Sequence, residues 1–188
     1  MKETPGNRIS NDLKESQINW KVIILFIPIA FMTFIFHEFG HWLFGELSGN
    51  EMTMSLNNSA PKSGYFIKEF HAFWSAVGGP VFTIIQALVF VLVTWLTKSI
   101  YAYSVAFFAV FSRFFSILLG GFNIQDEARI ALMLETNKYL VAAIVLTILF
   151  LILWRGNRIM NLNLKAVGYF TVLGTLAMLM VIGVNKLF

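Results

Sequence analysis

Residues 72–97 read AFWSAVGGPVFTIIQALVFVLVTWLT, a stretch that contains no charged residue. About 20 predominantly apolar residues are enough for a helix to cross a bilayer. The core of a soluble protein does not need an uncharged block of this length, so the stretch predicts a membrane-spanning helix. We therefore expect lipid, rather than water, to be the solvent that decides the fold.

The remaining apolar residues are also grouped into long blocks. The first block is free of charge at residues 22–36, the third is interrupted only by Arg113, and the fourth is short but continuous. Together with residues 72–97 they predict an all-α, polytopic membrane protein with about five transmembrane helices. The four further blocks occupy residues 20–47, 99–122, 139–154 and 166–185.

The composition agrees with a membrane protein and excludes several other classes. Hydrophobic residues make up 57% of the chain and charged residues 13%, whereas soluble domains carry about 25% charged residues. The chain has no cysteine, which excludes disulfides and thiolate metal sites. Lys and Arg residues stand singly between apolar blocks, and the net charge is only +4, so no nucleic-acid partner is expected.

Two segments lie outside the apolar blocks and differ in character. Residues 1–19 have no apolar region of the kind found in a signal peptide, and we interpret them as a polar, mobile N-terminal arm. Residues 48–71 contain Gly49, Asn57 and Pro61 around short β-prone runs. This pattern favours a small β-hairpin or an extended loop between the first two membrane helices.

The chemistry is concentrated near the end of the first block, where residues 34–46 read FIFHEFGHWLFGE. His37 and His41 are four residues apart, so a helix places them on one face, where they can share a metal ion. Imidazole suits zinc, and Glu38 can serve as a general base for a zinc-bound water. Ionisable residues within a span are costly and usually mark a functional site, which favours zinc over simple helix packing.

A third ligand is needed, and residues 120–132, GGFNIQDEARIAL, supply the best candidate in Asp126. The first and third helices run in the same direction, so their C-terminal ends lie on the same side of the membrane. Asp126 can therefore meet the two histidines, although its neighbour Glu127 competes for the role and His71 is the only other histidine. Both acidic residues could instead be the solvated start of a helix.

These residues carry a resemblance. HEFGH at residues 37–41, GGPVFT at 78–83 and FNIQD at 122–126 resemble, in order, the motifs of the site-2 protease family of intramembrane zinc metalloproteases. The resemblance implies that His37, His41 and Asp126 bind Zn²⁺ and that Glu38 is the catalytic base. It covers a membrane-embedded core at residues 20–135 and leaves the additional transmembrane helices of residues 136–188 unassigned.

The third motif departs from the family pattern. The family's prolines before the aspartate are absent, and Glu127 stands where a glycine usually follows. Thr83 stands where the family often has asparagine. These departures leave open an alternative function, a non-proteolytic zinc-binding membrane scaffold derived from the same fold.

The resemblance implies an intramembrane zinc metalloprotease that hydrolyses a peptide bond in or near a transmembrane segment of a membrane-protein substrate. The expected partners are that substrate and the lipid bilayer, and the expected location is a prokaryotic cell membrane, in keeping with the small size of the chain. The loop of residues 48–71 could align an extended substrate strand, or could be a connector only.

Two further features predict close packing. Gly78, Gly79 and Pro80 permit close contact between the second helix and a neighbour. Arg113, alone in the third block, is costly in lipid unless it is paired or reaches the interface. We expect it to form a structural ion pair or to extend toward the interface rather than to contact substrate.

Overall fold

The computed structural model describes residues 5–186 of the chain. Within this range the chain forms seven α-helices and one two-stranded sheet. In chain order the elements are α1 (Pro5–Glu15), α2 (Trp20–Leu47), β1 (Met52–Ser55), β2 (Asn58–Pro61), α3 (Glu69–Thr97), α4 (Ile100–Leu119), α5 (Asp126–Met133), α6 (Lys138–Met160) and α7 (Leu164–Asn185).

Five of the described helices are long and apolar enough to cross a membrane, namely α2, α3, α4, α6 and α7. The predicted fold class, an all-α polytopic membrane protein with about five spans, is confirmed. Lys98 adopts a left-handed conformation with φ of +52° and, with Ser99, forms the whole link between α3 and α4. These two helices therefore form a tight antiparallel hairpin.

The segment between the first two spans forms the predicted β-hairpin. Its antiparallel register runs from the Met52–Pro61 pair to the Ser55–Asn58 pair. The Met52 amide donates to Oε1 of Glu46 at 2.9 Å, and the Ser59 hydroxyl donates to the carbonyl oxygen of Glu38 at 2.9 Å. Both bonds fix the hairpin over the C-terminal half of α2.

Helix α4 is the most enclosed of the five spans and packs against α2, α3, α6 and α7. Its aromatic side chains Tyr103, Phe107 and Phe108 are fully buried, and Phe108 meets Phe26 of α2 edge-on with ring centroids 6.2 Å apart. Tight packing of this kind stabilises helix association in lipid, where burial from water gives no driving force. The C-terminal end of α4 brings Arg113 toward α2.

The N-terminal arm is polar as predicted but contains a helix, α1. Lys165, at the start of α7, donates to the Asp12 carboxylate of α1 at 2.9 Å. This bond ties the part of the arm that the structure describes to the last helix. Residues 1–4 of the predicted arm lie outside the described residues.

Candidate metal centre

His37, Glu38 and His41 lie on α2 and form a group that could hold a metal ion. Their ligand atoms all lie within 4.8 Å of one another. Glu38 and His41 are buried, and the His37 side chain retains 14% of its exposure. The i, i+4 spacing of the histidines therefore produces the shared face that the sequence predicted.

The ring of His37 is oriented by Thr83 of α3. The Thr83 hydroxyl donates to the carbonyl oxygen of Gly79 at 3.1 Å, so its oxygen is left as an acceptor for Nδ1–H of His37 at 2.9 Å. In the neutral imidazole a proton on Nδ1 leaves a lone pair on Nε2. This is the usual way in which a second protein group fixes the tautomer of a metal-binding histidine.

The ring of His41 is oriented in the same sense by the backbone of α3. Its Nδ1 lies 2.7 Å from the carbonyl oxygen of Ser75, and a carbonyl can only accept, so Nδ1 carries the proton. The Ser75 hydroxyl returns a hydrogen bond to the carbonyl oxygen of His41 at 3.0 Å. Both neutral histidines therefore present an Nε2 lone pair.

Asp126, the first residue of α5, completes a triangle of acceptor atoms. Its Oδ2 lies 3.2 Å from Nε2 of His37 and 3.4 Å from Nε2 of His41, and the two Nε2 atoms are 3.2 Å apart. Three lone-pair atoms this close repel one another, and a proton or a metal cation between them relieves that repulsion. Bonds of about 2.0–2.1 Å in tetrahedral geometry separate ligand atoms by about 3.3–3.4 Å, so these donors fit zinc.

The charge of Asp126 suits this role. Burial by itself would raise the pKa of its carboxyl group. The nearby Arg113 guanidinium outweighs burial and holds that pKa well below its ordinary value. Asp126 is therefore ionised and available as an oxygen ligand.

Glycines form the α3 wall of the site. A Cβ atom at Gly79 would lie 2.6 Å from Cε1 of His37 and closer still to Nε2 of His41. A Cβ at Gly78 would overlap the carbonyl oxygen of Gly40, and a Cβ at Gly40 would overlap the carbonyl oxygen of Gly78. The close helix contact predicted from residues 78–80 is confirmed, and the imidazoles occupy the space that a side chain would fill.

Arg113 of α4 contacts the site from a different helix. Its Nε donates to Oε1 of Glu127 at 2.7 Å and its Nη2 to Oε2 of the same carboxylate. The same Nη2 donates to Oδ2 of Asp126 at 2.9 Å, and Nη1 lies 3.5 Å from Nε2 of His37. The structural ion pair expected for Arg113 is present, with Glu127 completely buried.

A polar cavity of about 310 Å³ opens next to the histidines. Glu38 lines this cavity together with the histidines, and the hairpin contributes Asn57, Asn58 and Ser59 to the lining. The other lining residues are Thr33, Phe34, His37, His41, Thr83, Ser112, Arg113, Ser116, Ile124, Gln125, Asp126 and Arg129. The cavity can therefore admit water and a polar backbone beside the site.

The structure separates the three residues considered as third ligand. Asp126 lies against the histidines, Glu127 is engaged by Arg113, and Nδ1 of His71 contacts the Asn50 side chain at 3.2 Å. Sequence reasoning gave no role to Thr83 or Ser75. Spacing could have indicated them. Ser75, Gly79 and Thr83 follow one another at intervals of four residues, so all three lie on the same buried face of α3.

Comparison of the chain with protein-family models, curated proteins and solved structures finds no match. The fold and the site together define a multi-pass helical membrane protein with a buried group that could hold a metal ion.

Proposed function

We propose that the chain is an intramembrane zinc metalloprotease, with His37, His41 and Asp126 as ligands and Glu38 as the general base. The observation that carries the proposal is the triangle of two Nε2 atoms and one carboxylate oxygen at 3.2–3.4 Å, with Glu38 beside it in a polar cavity. Two nitrogens and one oxygen are an ordinary donor set for catalytic zinc, which keeps a fourth position for water.

The residues divide the reaction between them. Zinc, when bound, polarises the scissile carbonyl and lowers the pKa of water from about 15.7 to near 7. Glu38 accepts a proton from the attacking water and returns it to the leaving amine. Thr83 and the Ser75 carbonyl hold both imidazoles with Nε2 facing the reaction space.

The lining of the cavity favours an extended substrate segment. A helical backbone hides its carbonyl groups, so a transmembrane substrate has to unwind locally before hydrolysis. The edge formed by Asn57, Asn58 and Ser59 borders the cavity, where an extended segment can gain backbone hydrogen bonds by adding to a strand. We therefore place the scissile bond in an unwound part of a membrane-protein segment, in or near the bilayer.

One observation favours the alternative, a non-proteolytic zinc-binding scaffold. The carboxylate of Glu38 lies within 4.8 Å of the histidine ligand atoms and could itself bind the metal. Glu38 would then be a fourth protein ligand beside Asp126, and a closed set of four is typical of structural zinc. The two functions therefore differ in the role of one side chain.

A first experiment separates them by measuring zinc in detergent-purified protein after reconstitution with Zn²⁺. We expect near one zinc per chain in the wild type and in Glu38→Gln, and loss of zinc in Asp126→Ala. Glu51→Gln, at an exposed carboxylate in the hairpin region, is the matched control and should keep zinc. Loss of zinc from Glu38→Gln would favour the scaffold, and no zinc in the wild type would reject both.

The second experiment concerns catalysis. Membranes that contain the wild type are compared with membranes that contain Glu38→Gln by mass spectrometry of newly formed peptide termini. Removal of a general base costs about 10²–10⁴-fold in rate, so termini near membrane segments should appear with the wild type alone. An identical set of termini in both membranes, with zinc present in both proteins, would reject proteolysis.

A further inference from the structure

Asp126 follows a segment of the chain that does little to fix its direction. Gly120 and Gly121 come directly after α4, and Gly121 has a φ of +94°, a conformation that glycine adopts freely. A short 3₁₀ turn at Phe122–Ile124 leads into α5, which has only eight residues. Helix α5 itself is packed against α3 and α6, but the direction of the Asp126 carboxylate still depends on its side-chain rotamer.

Side-chain contacts supply the missing constraint. Arg113 directs Nε and Nη2 at the carboxylate of Glu127 and directs Nη2 also at Oδ2 of Asp126, 2.9 Å away. The side chain of Arg113 is 7% exposed, that of Asp126 is 14% exposed and that of Glu127 is completely buried. One rigid guanidinium thus contacts two consecutive carboxylates of α5 from a single position on α4.

We propose that Arg113 and Glu127 are a positioning pair that fixes the carboxylate of Asp126 for metal binding. Glu127 holds the guanidinium in place, and the guanidinium holds Oδ2 of Asp126 against the two Nε2 atoms. The inference rests on the metal site proposed above. It gives a role to Glu127. This residue follows Asp126 in sequence, but its carboxylate contacts Arg113 of α4.

Arg113 also compensates the negative charges of Asp126 and Glu127. An experiment on metal affinity has to separate this charge effect from the positioning of Asp126. Removal of Arg113 alone deletes a positive charge beside the metal and leaves Glu127 buried without a partner. Removal of Glu127 alone leaves Arg113 with Asp126 as its remaining carboxylate partner and adds one net positive charge. Removal of both leaves the summed charge of the pair at zero, so a change in metal affinity then reports the geometry of Asp126.

The test variant is therefore Arg113→Met combined with Glu127→Leu. Apolar side chains of similar volume often replace a buried ion pair without loss of stability. Zinc affinity of the purified protein is measured by competition with a chelator, and thermal stability is measured on the same samples. We expect zinc binding about 10–100-fold weaker than in the wild type, the usual effect of losing a group that orients a ligand.

Two further variants complete the design. Arg113→Lys keeps the charge but loses the planar fork, and it should weaken zinc binding about tenfold. Tyr103→Phe removes another buried side-chain hydrogen bond of α4, to Asn157 of α6, and it should leave zinc affinity unchanged.

Wild-type zinc affinity in the folded double variant would overturn the proposal, as would wild-type affinity in Arg113→Lys if the double variant does not fold. Equal losses in Tyr103→Phe and the double variant would show that the effect is general loosening and would also overturn it. A wild type that binds no zinc would instead remove the metal site itself.

Discussion

The two sides of the metal centre are built by different physical means. On the α3 side, Gly79 lies against the imidazoles and Gly78 against Gly40, so shape determines the packing. On the α4–α5 side, Arg113 joins Asp126 to Glu127, so charge and hydrogen bonding determine the arrangement. The first side has no spare volume. On the second side, a paired substitution can keep size and summed charge, and with them the fold, while the hydrogen bond that positions Asp126 is lost.

This difference determines which substitutions each side of the site can accept. The glycine side cannot accept even one added carbon atom, because the neighbouring atoms belong to the backbone and to imidazole rings that are already fixed. An ion-paired wall fails when one partner is removed, because the other is left buried and unpaired.

The largest effect is expected for Gly79→Val. The new side chain would overlap both imidazole rings, so we expect complete loss of zinc binding, measured as metal content of the purified protein. Gly168→Ala is the matched control, since a Cβ there meets no atom within 4 Å and alanine favours a helix. Retention of zinc in Gly79→Val would show that the rings are not held against α3.

An intermediate effect is expected for Thr83→Val, which keeps the shape of the side chain and removes the hydroxyl acceptor of His37. The ring is then free to rotate or to change tautomer, so zinc binding should weaken about 10–100-fold. Chelator competition measures the change. Rescue in Thr83→Ser, where the hydroxyl is restored, would confirm that the oxygen is responsible, and an unchanged affinity in Thr83→Val would contradict the assigned role.

The smallest effect is expected for Ser75→Ala. His41 donates to the backbone carbonyl of residue 75, which the substitution retains. Only the hydrogen bond from the serine hydroxyl to the carbonyl oxygen of His41 is lost, at a cost of about 1 kcal/mol in the free energy of unfolding. Zinc affinity should stay at the wild-type value while the unfolding temperature falls slightly, and a tenfold loss of affinity would show that the hydroxyl orients the ring.

Most of the fold could be predicted because membrane helices are long and apolar. The first block was predicted at residues 20–47 and forms α2 with the same bounds. The fourth block was placed at 139–154, but α6 extends to Met160 and includes Arg155 and Arg158. Residues that flank the short apolar block extend the helix, and Arg158 lies 5.7 Å from the Trp154 ring, an arrangement that allows a helix to continue past its apolar part.

Local spacing predicts the two histidines, and the shared direction of the first and third helices predicts Asp126, but the side chains that orient these residues could not be predicted. His37, Glu38 and His41 lie within two turns of one helix, so their pattern is visible in sequence. Thr83 meets His37 across 46 positions, and Arg113 meets Glu127 across 14. These contacts depend on the rotation of each helix about its axis and on side-chain direction, which apolar periodicity alone does not fix.

The contact between Gly40 and Gly78 also determines how the molecule can move. With two backbones in close contact and no side chain between them, rotation of α2 or α3 about its axis would bring larger side chains into the contact and push the helices apart. We therefore expect α2, which carries both histidines, to move together with α3. A cavity that widens to admit a polypeptide would then open at its other walls, the hairpin of residues 52–61 and the glycine-containing segment before α5.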